Sequence, residues 1–425
     1  MNAGRDPSPA PDAQHPTPDT LDRIVRERIR HGGPMTFAEF VALALYHPAG
    51  GYYTGGQPGM GRTADYLTAP EAHPVFGALI GRQLAHLAGL IVPDGGTFDV
   101  IELGAGTGAL AAPALDEVRR SAPDVYTRLR YRIVEVSPTL RSVQADRLAA
   151  HCDRVDWVDL TDIPPGSLSG VVLANEFFDA LPFHRVQVRD GEPWEVYVDL
   201  AGDELADRLG PPSTPALPDY FQKLGRLPPE GGQVEVSLAA VAVIAEVAAA
   251  IGRGLALTID YGYEVDEWLG KVRPRGTFLA HHRHTTNDNP YRRIGRQDLT
   301  AQVDFTTLAQ AGRRRGLAPL GLIDQRSYLL ALGLPAYAEG LARQARPPAD
   351  RRRDLEALAA LIDPGGMGRF KVLMQARGLP RLTLTAAIDL PEPVVDPAGV
   401  PHLPAPDEPP DPFAALWEEA FGSQE

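Results

Sequence analysis

Apolar residues recur along this chain at two different periods, and the change from one to the other divides it. Near the start, Leu21, Ile24, Val25 and Ile29 share one helical face, which predicts a helix over Thr20–Arg30 capped by Asp19 or Thr20. A second helix is predicted over Thr36–Tyr46. Its Thr36 is followed three positions later by Glu39, the capping-box pattern, and His47-Pro48-Ala49-Gly50-Gly51 ends it. A Gly-rich stretch from Gly50 to Gly61 leads to Asp65-Tyr66-Leu67-Thr68-Ala69-Pro70-Glu71 and a helix through about Leu90. From Phe98 onward, short apolar runs of strand length alternate with helical stretches. Strands are predicted at Phe98–Leu103, Tyr131–Val136, Val155–Val158, Gly170–Ala174 and Leu255–Asp260, and helices at Gly108–Ser121, Thr139–Ala150 and Ser237–Gly252. Such alternation signals a parallel sheet covered by helices. Two later strands, near Leu317–Ile323 and Phe370–Ala376, would complete it. The expected fold class is α/β: a Rossmann-like sheet preceded by an N-terminal helical segment and interrupted by inserted segments.

Two stretches break the alternation. Residues 185–236 hold a predicted hairpin, Val186–Val188 with Trp194–Val198, turning at Asp190-Gly191, and then a Pro-rich loop. Residues 263–304 are polar and rich in Arg and His. Both follow the carboxyl end of a predicted sheet strand, where open α/β sheets bind ligands, so both are candidates for a substrate-binding rim. The expected organisation is a disordered tail at 1–19, a helical segment at 20–94, the α/β domain at 95–377, and a Pro/Asp-rich tail at 378–425. That last tail reads as loose between Pro391 and Pro412, with a short amphipathic helix at Phe413–Phe421.

Composition narrows the functions. The 425 residues carry a formal net charge of −14, a surface that repels phosphate backbones and suits cationic partners, so nucleic acid is not an expected partner. The richest apolar run, Ser237–Ile251, is too short to span a bilayer and reads as a buried helix; no membrane insertion is expected. The single cysteine, Cys152, excludes an internal disulfide framework or a CxxC metal site, and reads as a small packing residue near a helix end. His281, His282 and His284 do not have the spacing of a ligand set, and no metal is expected. Residues 1–19 have neither an apolar secretory region nor an Arg-rich leader, so the expected location is cytoplasmic. The sequence assigns no oligomeric state.

The chemistry concentrates at strand ends. Phe98-Asp99-Val100-Ile101-Glu102-Leu103-Gly104-Ala105-Gly106-Thr107-Gly108 is a strand, a Gly-rich turn and a helix start. Gly104, Gly106 and Gly108 let the backbone approach a ligand where a Cβ would clash, and the helix N-terminus favours a carboxylate. A dinucleotide enzyme uses a related turn. Glu102, two residues before the first glycine, can orient the turn and reach a ligand ammonium, which favours S-adenosylmethionine. Glu135 ends the next strand, where a carboxylate accepts both ribose hydroxyls, and Asp159 follows the third, placed for an adenine amino group. The fourth strand runs into Asn175-Glu176-Phe177-Phe178-Asp179-Ala180-Leu181-Pro182. Asn175 is assigned to the cofactor, and Glu176 and Asp179 to catalysis with a cationic acceptor; the competing assignment makes both acids helix caps or partners of a local Arg. Asp260-Tyr261-Gly262, after the fifth strand, is assigned to the acceptor.

These runs resemble one known family. Met35-Thr36-Phe37-Ala38-Glu39-Phe40, Gly50-Gly51-Tyr52-Tyr53, Asp65 to Glu71, Glu102 to Gly108, Val134-Glu135-Val136-Ser137-Pro138, Asn175 to Pro182, Asp260-Tyr261-Gly262, Asp298-Leu299-Thr300-Ala301-Gln302-Val303-Asp304-Phe305 and Met367 to Val372 are similar to the mitochondrial complex I assembly methyltransferases and their bacterial, MidA-type relatives. The resemblance covers most of residues 35–377. It implies a class I methyltransferase fold, S-adenosylmethionine as cofactor, and methylation of arginine on a protein to symmetric dimethylarginine. Ala280-His281-His282-Arg283-His284 departs from the family pattern in the acceptor region. Three rival readings stand beside this one: methylation of a small molecule or another residue, a cofactor-binding assembly factor with little turnover, and an NAD-dependent dehydrogenase.

Overall fold

A computed structural model describes residues 20–55, 67–270, 273–282, 285–391, 393 and 395–404. The expected tail at 1–19, the Asp65-Tyr66 pair, Arg283, His284 and the Phe413–Phe421 helix lie outside the described residues.

Seven strands form the central sheet, in the order Ala318–Asp324, Lys371–Arg377, Ile251–Asp260, Leu168–Asn175, Phe98–Leu103, Leu129–Val134, Val155–Trp157. The last five run parallel, while Lys371–Arg377 is antiparallel to both of its neighbours. After Phe98–Leu103 the chain adds two strands on one side and then returns to add the rest on the other. The switch point therefore falls between Phe98–Leu103 and Leu168–Asn175, and a crevice opens at their carboxyl ends. The central strands are apolar on both faces, and Phe98–Leu103 is buried throughout. One face carries the Val75–Ile91 and Ala111–Ser121 helices, packed with Phe76, Leu79, Leu115 and Tyr131. The other carries Leu238–Ala250 and Phe305–Arg314, packed with Ile101, Val172, Ile244 and Leu308. The Leu238–Ala250 helix buries Ala240, Ile244, Val247, Ala248 and Ala250 and leaves Ala242, Glu246 and Ala249 exposed, so it is a surface helix rather than the buried one expected.

The inserted segments build a second sheet. Met35–Thr36, Glu192–Ala201, His184–Arg189 and Gln233–Val236 pair in that order, and Glu204–Gly210 adds to Glu192–Ala201. Asp190 (φ 53°) and Gly191 (φ 74°) form the two-residue left-handed turn of the expected hairpin. The region expected to be a Pro-rich loop holds this sheet's remaining strands and an Ala216–Leu224 helix. The N-terminal helices, Thr20–Gly32 and Phe37–Tyr46, pack on it through Leu21, Val25, Phe37, Phe40 and Phe183. Thr36 accepts from the Glu39 N–H at 3.1 Å and Glu39 accepts from the Thr36 N–H at 3.0 Å, closing the expected capping box.

Two readings are corrected. Cys152 is exposed, because it follows the last short turn before the Val155–Trp157 edge strand instead of facing the core. The chain from 395 to 404 is not loose: Val400 and Leu403 are buried, Gln344 donates to the carbonyls of Pro397 and Val400, and the Leu403 N–H donates to Asp354 at 2.9 Å. Proline there fixes an extended arm that packs by its few apolar residues. Among the described residues, no helix is long and apolar enough to cross a membrane.

Candidate functional site

Four adjacent parallel strands, Ile251–Asp260, Leu168–Asn175, Phe98–Leu103 and Leu129–Val134, deliver their carboxyl ends to one edge of the sheet. Asp260, Asn175-Glu176, Glu102 to Gly108 and Glu135 come with them, so the parallel sheet itself gathers residues far apart in sequence. Gly104, Gly106 and Gly108 all adopt left-handed backbone, at φ 64°, 55° and 79°. At Gly104 a Cβ would also lie 2.8 Å from the Phe177 ring, so the turn is held against Phe177.

Glu102 is buried, and Tyr131 Oη donates to its Oε2 at 2.8 Å. Burial, opposed by this hydrogen bond, pushes its carboxyl up to about 7. Glu135 is 6% exposed; its Oε1 accepts from the Ser137 N–H at 2.9 Å and its Oε2 from Gln144 Nε2 at 3.1 Å. Both bonds fix the carboxylate at the mouth of the crevice while each oxygen keeps a further lone pair. Asp159 lies beyond the edge strand, exposed, with Arg141 at 3.7 Å; it shares that arginine with Glu135, whose carbonyl accepts from Arg141 Nε at 2.6 Å.

The end of the Leu168–Asn175 strand is more constrained. Glu176 sits at φ 47°, a strained value for a residue with a side chain, and such strain collects at functional sites. Its Oε1 accepts from the Ala69 N–H at 2.9 Å and from Asn175 Nδ2 at 3.3 Å. Burial first, and then the neighbouring Asp179, push its carboxyl up to about 8. Asp179 is 7% exposed and its Oδ1 has no hydrogen-bond partner; burial raises it to about 6. Asn175 Oδ1 and Thr300 Oγ1 are likewise buried without partners. Asp260, expected to meet the acceptor, turns inward: it accepts from the N–H groups of Phe178 (3.0 Å), Asp179 (3.3 Å) and Tyr261 (2.9 Å). A fully buried carboxylate needs such donors, and here they lock the loop that carries Asp179. Tyr261, expected to meet the acceptor, stands beside Asp179.

Several residues at the site escaped the sequence reading. Buried Gln144 donates to the Gly106 carbonyl (2.8 Å) as well as to Glu135, and accepts from Trp157 Nε1 (2.7 Å). It ties the glycine turn to the next two strands, yet a lone polar residue on a helix gives no pattern. Val136, beside Glu135, is 63% exposed, an apolar face where a flat ring can lie. Thr107 Oγ1 in the glycine turn donates to Glu71, which lies 3.4 Å from Arg147, and Arg147 donates to Thr107 Oγ1 at 2.6 Å. Its run was visible in sequence; its contact with a turn 36 positions later was not.

With this geometry in hand, comparisons with known proteins are specific. A family profile of S-adenosyl-L-methionine-dependent methyltransferases matches residues 79–323. The mitochondrial protein arginine methyltransferase NDUFAF7 of Mus musculus is 31% identical over 373 residues, covering 81% of this chain and 81% of that protein. The Homo sapiens protein of the same name is 30% identical over 395 residues, covering 84% and 82%. Among solved structures, a COG1565 superfamily member from Burkholderia thailandensis bound to S-adenosyl-homocysteine is 33% identical, with a TM-score of 0.75 over 89% of this chain and 97% of that one. The two arginine methyltransferase relatives are named as mitochondrial, which overturns the cytoplasmic expectation; that expectation rested on a missing leader pattern in residues 1–19, and such an absence carries no location. The dehydrogenase alternative also falls, and the cofactor is S-adenosylmethionine. A switch-point crevice, a left-handed glycine turn and these matches agree: the chain belongs to the family of S-adenosyl-L-methionine-dependent methyltransferases.

Proposed function

We propose that this enzyme methylates arginine on a protein acceptor. The observation that carries the reading is the charge at the reacting end. Half-buried Glu176 and buried Asp179 lie together beside the glycine turn, and among the described residues neither has an ion-pair partner. Nor, among the described residues, do three carboxylate or imidazole groups converge closely enough to hold a metal ion. Enclosed carboxylates without a cation are costly, and a larger organic cation answers both their number and their spread. The arginine methyltransferase names of the relatives support the same acceptor.

The cofactor residues divide the ligand among them in this reading. The glycine turn, Gly104 to Gly108, receives the methionine end, Glu102 faces its ammonium, Glu135 accepts the ribose hydroxyls, Val136 covers the adenine, and Asp159 meets the adenine amino group. Asn175 Oδ1, a free acceptor at the strand end, faces the reacting centre. When bound, S-adenosylmethionine supplies an electrophilic methyl group and departs as a neutral thioether. Glu176 and Asp179 hold the guanidinium by its N–H edges, aim one nitrogen into the crevice, and take the proton that nitrogen loses. Their carboxyls, raised by burial, are suited to both holding and accepting a proton near neutral pH.

The test is to label a protein extract with the purified enzyme and methyl-labelled cofactor, then hydrolyse the labelled protein to amino acids. Label in dimethylarginine, symmetric if the family resemblance extends to the product, supports the reading. Label on another residue or on a small molecule contradicts it.

A further inference from the structure

The N-terminal segment also reaches the reacting end, and the assignment above leaves that contact unused. Tyr46, the last residue of the Phe37–Tyr46 helix, keeps part of its surface open, and its Oη donates to the Ala180 carbonyl at 2.9 Å, one residue beyond Asp179. Its ring stacks on Tyr53 with centroids 5.5 Å apart and planes inclined by 24°. Tyr53 Oη in turn donates to Asp298 Oδ1 at 3.0 Å in a fully enclosed contact. From the opposite direction, the Ala301 N–H donates to the Asp179 carbonyl at 3.0 Å, so the 298–301 stretch and the acceptor loop are bound together. Burial, and then the negative charges of Asp298 and Asp179, raise the Tyr46 hydroxyl well above its ordinary value, which puts Tyr46 in the field of both carboxylates. Hydrogen-bonding capacity is left over beside them: Asp179 Oδ1 and Thr300 Oγ1, each more than nine-tenths buried, approach the Tyr261 hydroxyl but close no hydrogen bond of normal geometry.

We infer that Tyr46, Tyr53 and Asp298 form a second wall of the acceptor pocket, which selects a guanidinium over an ammonium by stacking its flat face on the Tyr46 ring opposite Glu176 and Asp179. The inference rests on the arginine reading. A guanidinium is planar and weakly hydrated, so an aromatic face holds it at little desolvation cost, whereas an ammonium is compact and strongly hydrated. The stacked Tyr53 and its bond to Asp298 keep the Tyr46 ring from rotating away. The run Gly50 to Tyr53 and the run Asp298 to Phe305, far apart in sequence, thereby acquire one shared task.

The experiment uses the full chain loaded with S-adenosylhomocysteine and two neutral-ended probes, acetyl-arginine methylamide and acetyl-lysine methylamide, with binding read by ligand-observed NMR. The wild type should prefer the arginine probe. Tyr46→Leu should weaken that probe by about tenfold, the scale of a desolvated cation–π contact, leave the lysine probe unchanged, and so abolish the preference. Tyr46→Phe, which keeps the ring and loses only the hydroxyl, should retain it, and Asp298→Asn should weaken the arginine probe alone. S-adenosylhomocysteine affinity within twofold of wild type verifies that each variant is folded. An arginine preference that survives unchanged in Tyr46→Leu and Asp298→Asn overturns the wall while leaving the arginine reading intact. A wild type that binds both probes equally, or neither, overturns the arginine reading and the wall with it.

Discussion

Glu135 shows how much a single side chain carries. Its two oxygens are already oriented by the Ser137 N–H and by Gln144, so in the proposed assignment they would accept the ribose hydroxyls without reorganisation. Glu135→Gln keeps the volume and removes the charge, and should weaken S-adenosylmethionine and S-adenosylhomocysteine together by roughly 1.5–3 kcal/mol, the worth of a charged hydrogen bond. Calorimetry with both ligands checks this; a loss confined to the acceptor would place Glu135 elsewhere. Gly106→Val is predicted to act through the backbone: a β-branched residue cannot adopt φ 55° without strain, so cofactor binding should vanish while the protein stays folded. Retained cofactor affinity in that variant would contradict a role for the turn. The placement of both at the sheet's carboxyl edge was readable from sequence because strand, turn and carboxylate follow at fixed offsets. Asp260 was readable only as a strand end. That it faces three backbone N–H groups depends on how the loop at 176–179 folds back, which no local pattern records.

Elements whose apolar pattern has a period and a cap were visible in advance, such as the Phe37–Tyr46 helix with its capping box. The second sheet was not, beyond its hairpin. Glu204–Gly210 buries only Leu205, and it pairs because Glu192–Ala201 offers a free edge, a tertiary cause. The helices at Gln325–Ala331, Leu334–Ala342 and Pro348–Leu361 went unread, their apolar faces being divided among short segments with prolines between. Close approach between elements is equally silent in sequence. In the Val75–Ile91 helix, a Cβ at Gly81 would sit 2.3 Å from the Ala114 carbonyl oxygen, so this glycine lets the helix lie directly on Ala111–Ser121. Gly81→Ala should therefore cost about 1–3 kcal/mol through overpacking, although alanine is the better helix former. Chemical denaturation measures it; a neutral or stabilising result would contradict the close packing. The Ala69–Ala72 turn links two parts of the site, since the Ala69 N–H holds Glu176 and Glu71 holds Thr107. Glu71→Ala should accordingly weaken the cofactor by about 1 kcal/mol, in the range of one hydrogen bond, without touching its groups directly.

The molecule as a whole accepts an electrostatic cost at its site. Burial lifts Glu102 to about 7, Glu176 to about 8 and Asp179 to about 6, all above the ordinary carboxylate range near ~4. Raised in the folded state, these groups contribute stability that is full below the unfolded values near ~4 and is lost as pH rises from there through the folded values of about 6 to 8. Over that window the melting temperature of the free protein should fall, and Glu176→Gln, which cannot ionise, should flatten the fall. An unchanged slope in the variant would contradict an enclosed, proton-holding Glu176. A cationic acceptor should relieve the same cost, so it should bind more tightly as pH rises through this range. The most direct test of the account compares Glu176→Gln and Asp179→Asn with wild type in two measurements on one preparation: S-adenosylmethionine affinity by calorimetry, and methyl transfer to the acceptor found by labelling. If these acids hold the guanidinium and the charge it develops, turnover should drop at least tenfold, about 1.4 kcal/mol, with cofactor affinity within twofold. Normal turnover in both variants, or a parallel loss of cofactor binding, would contradict it.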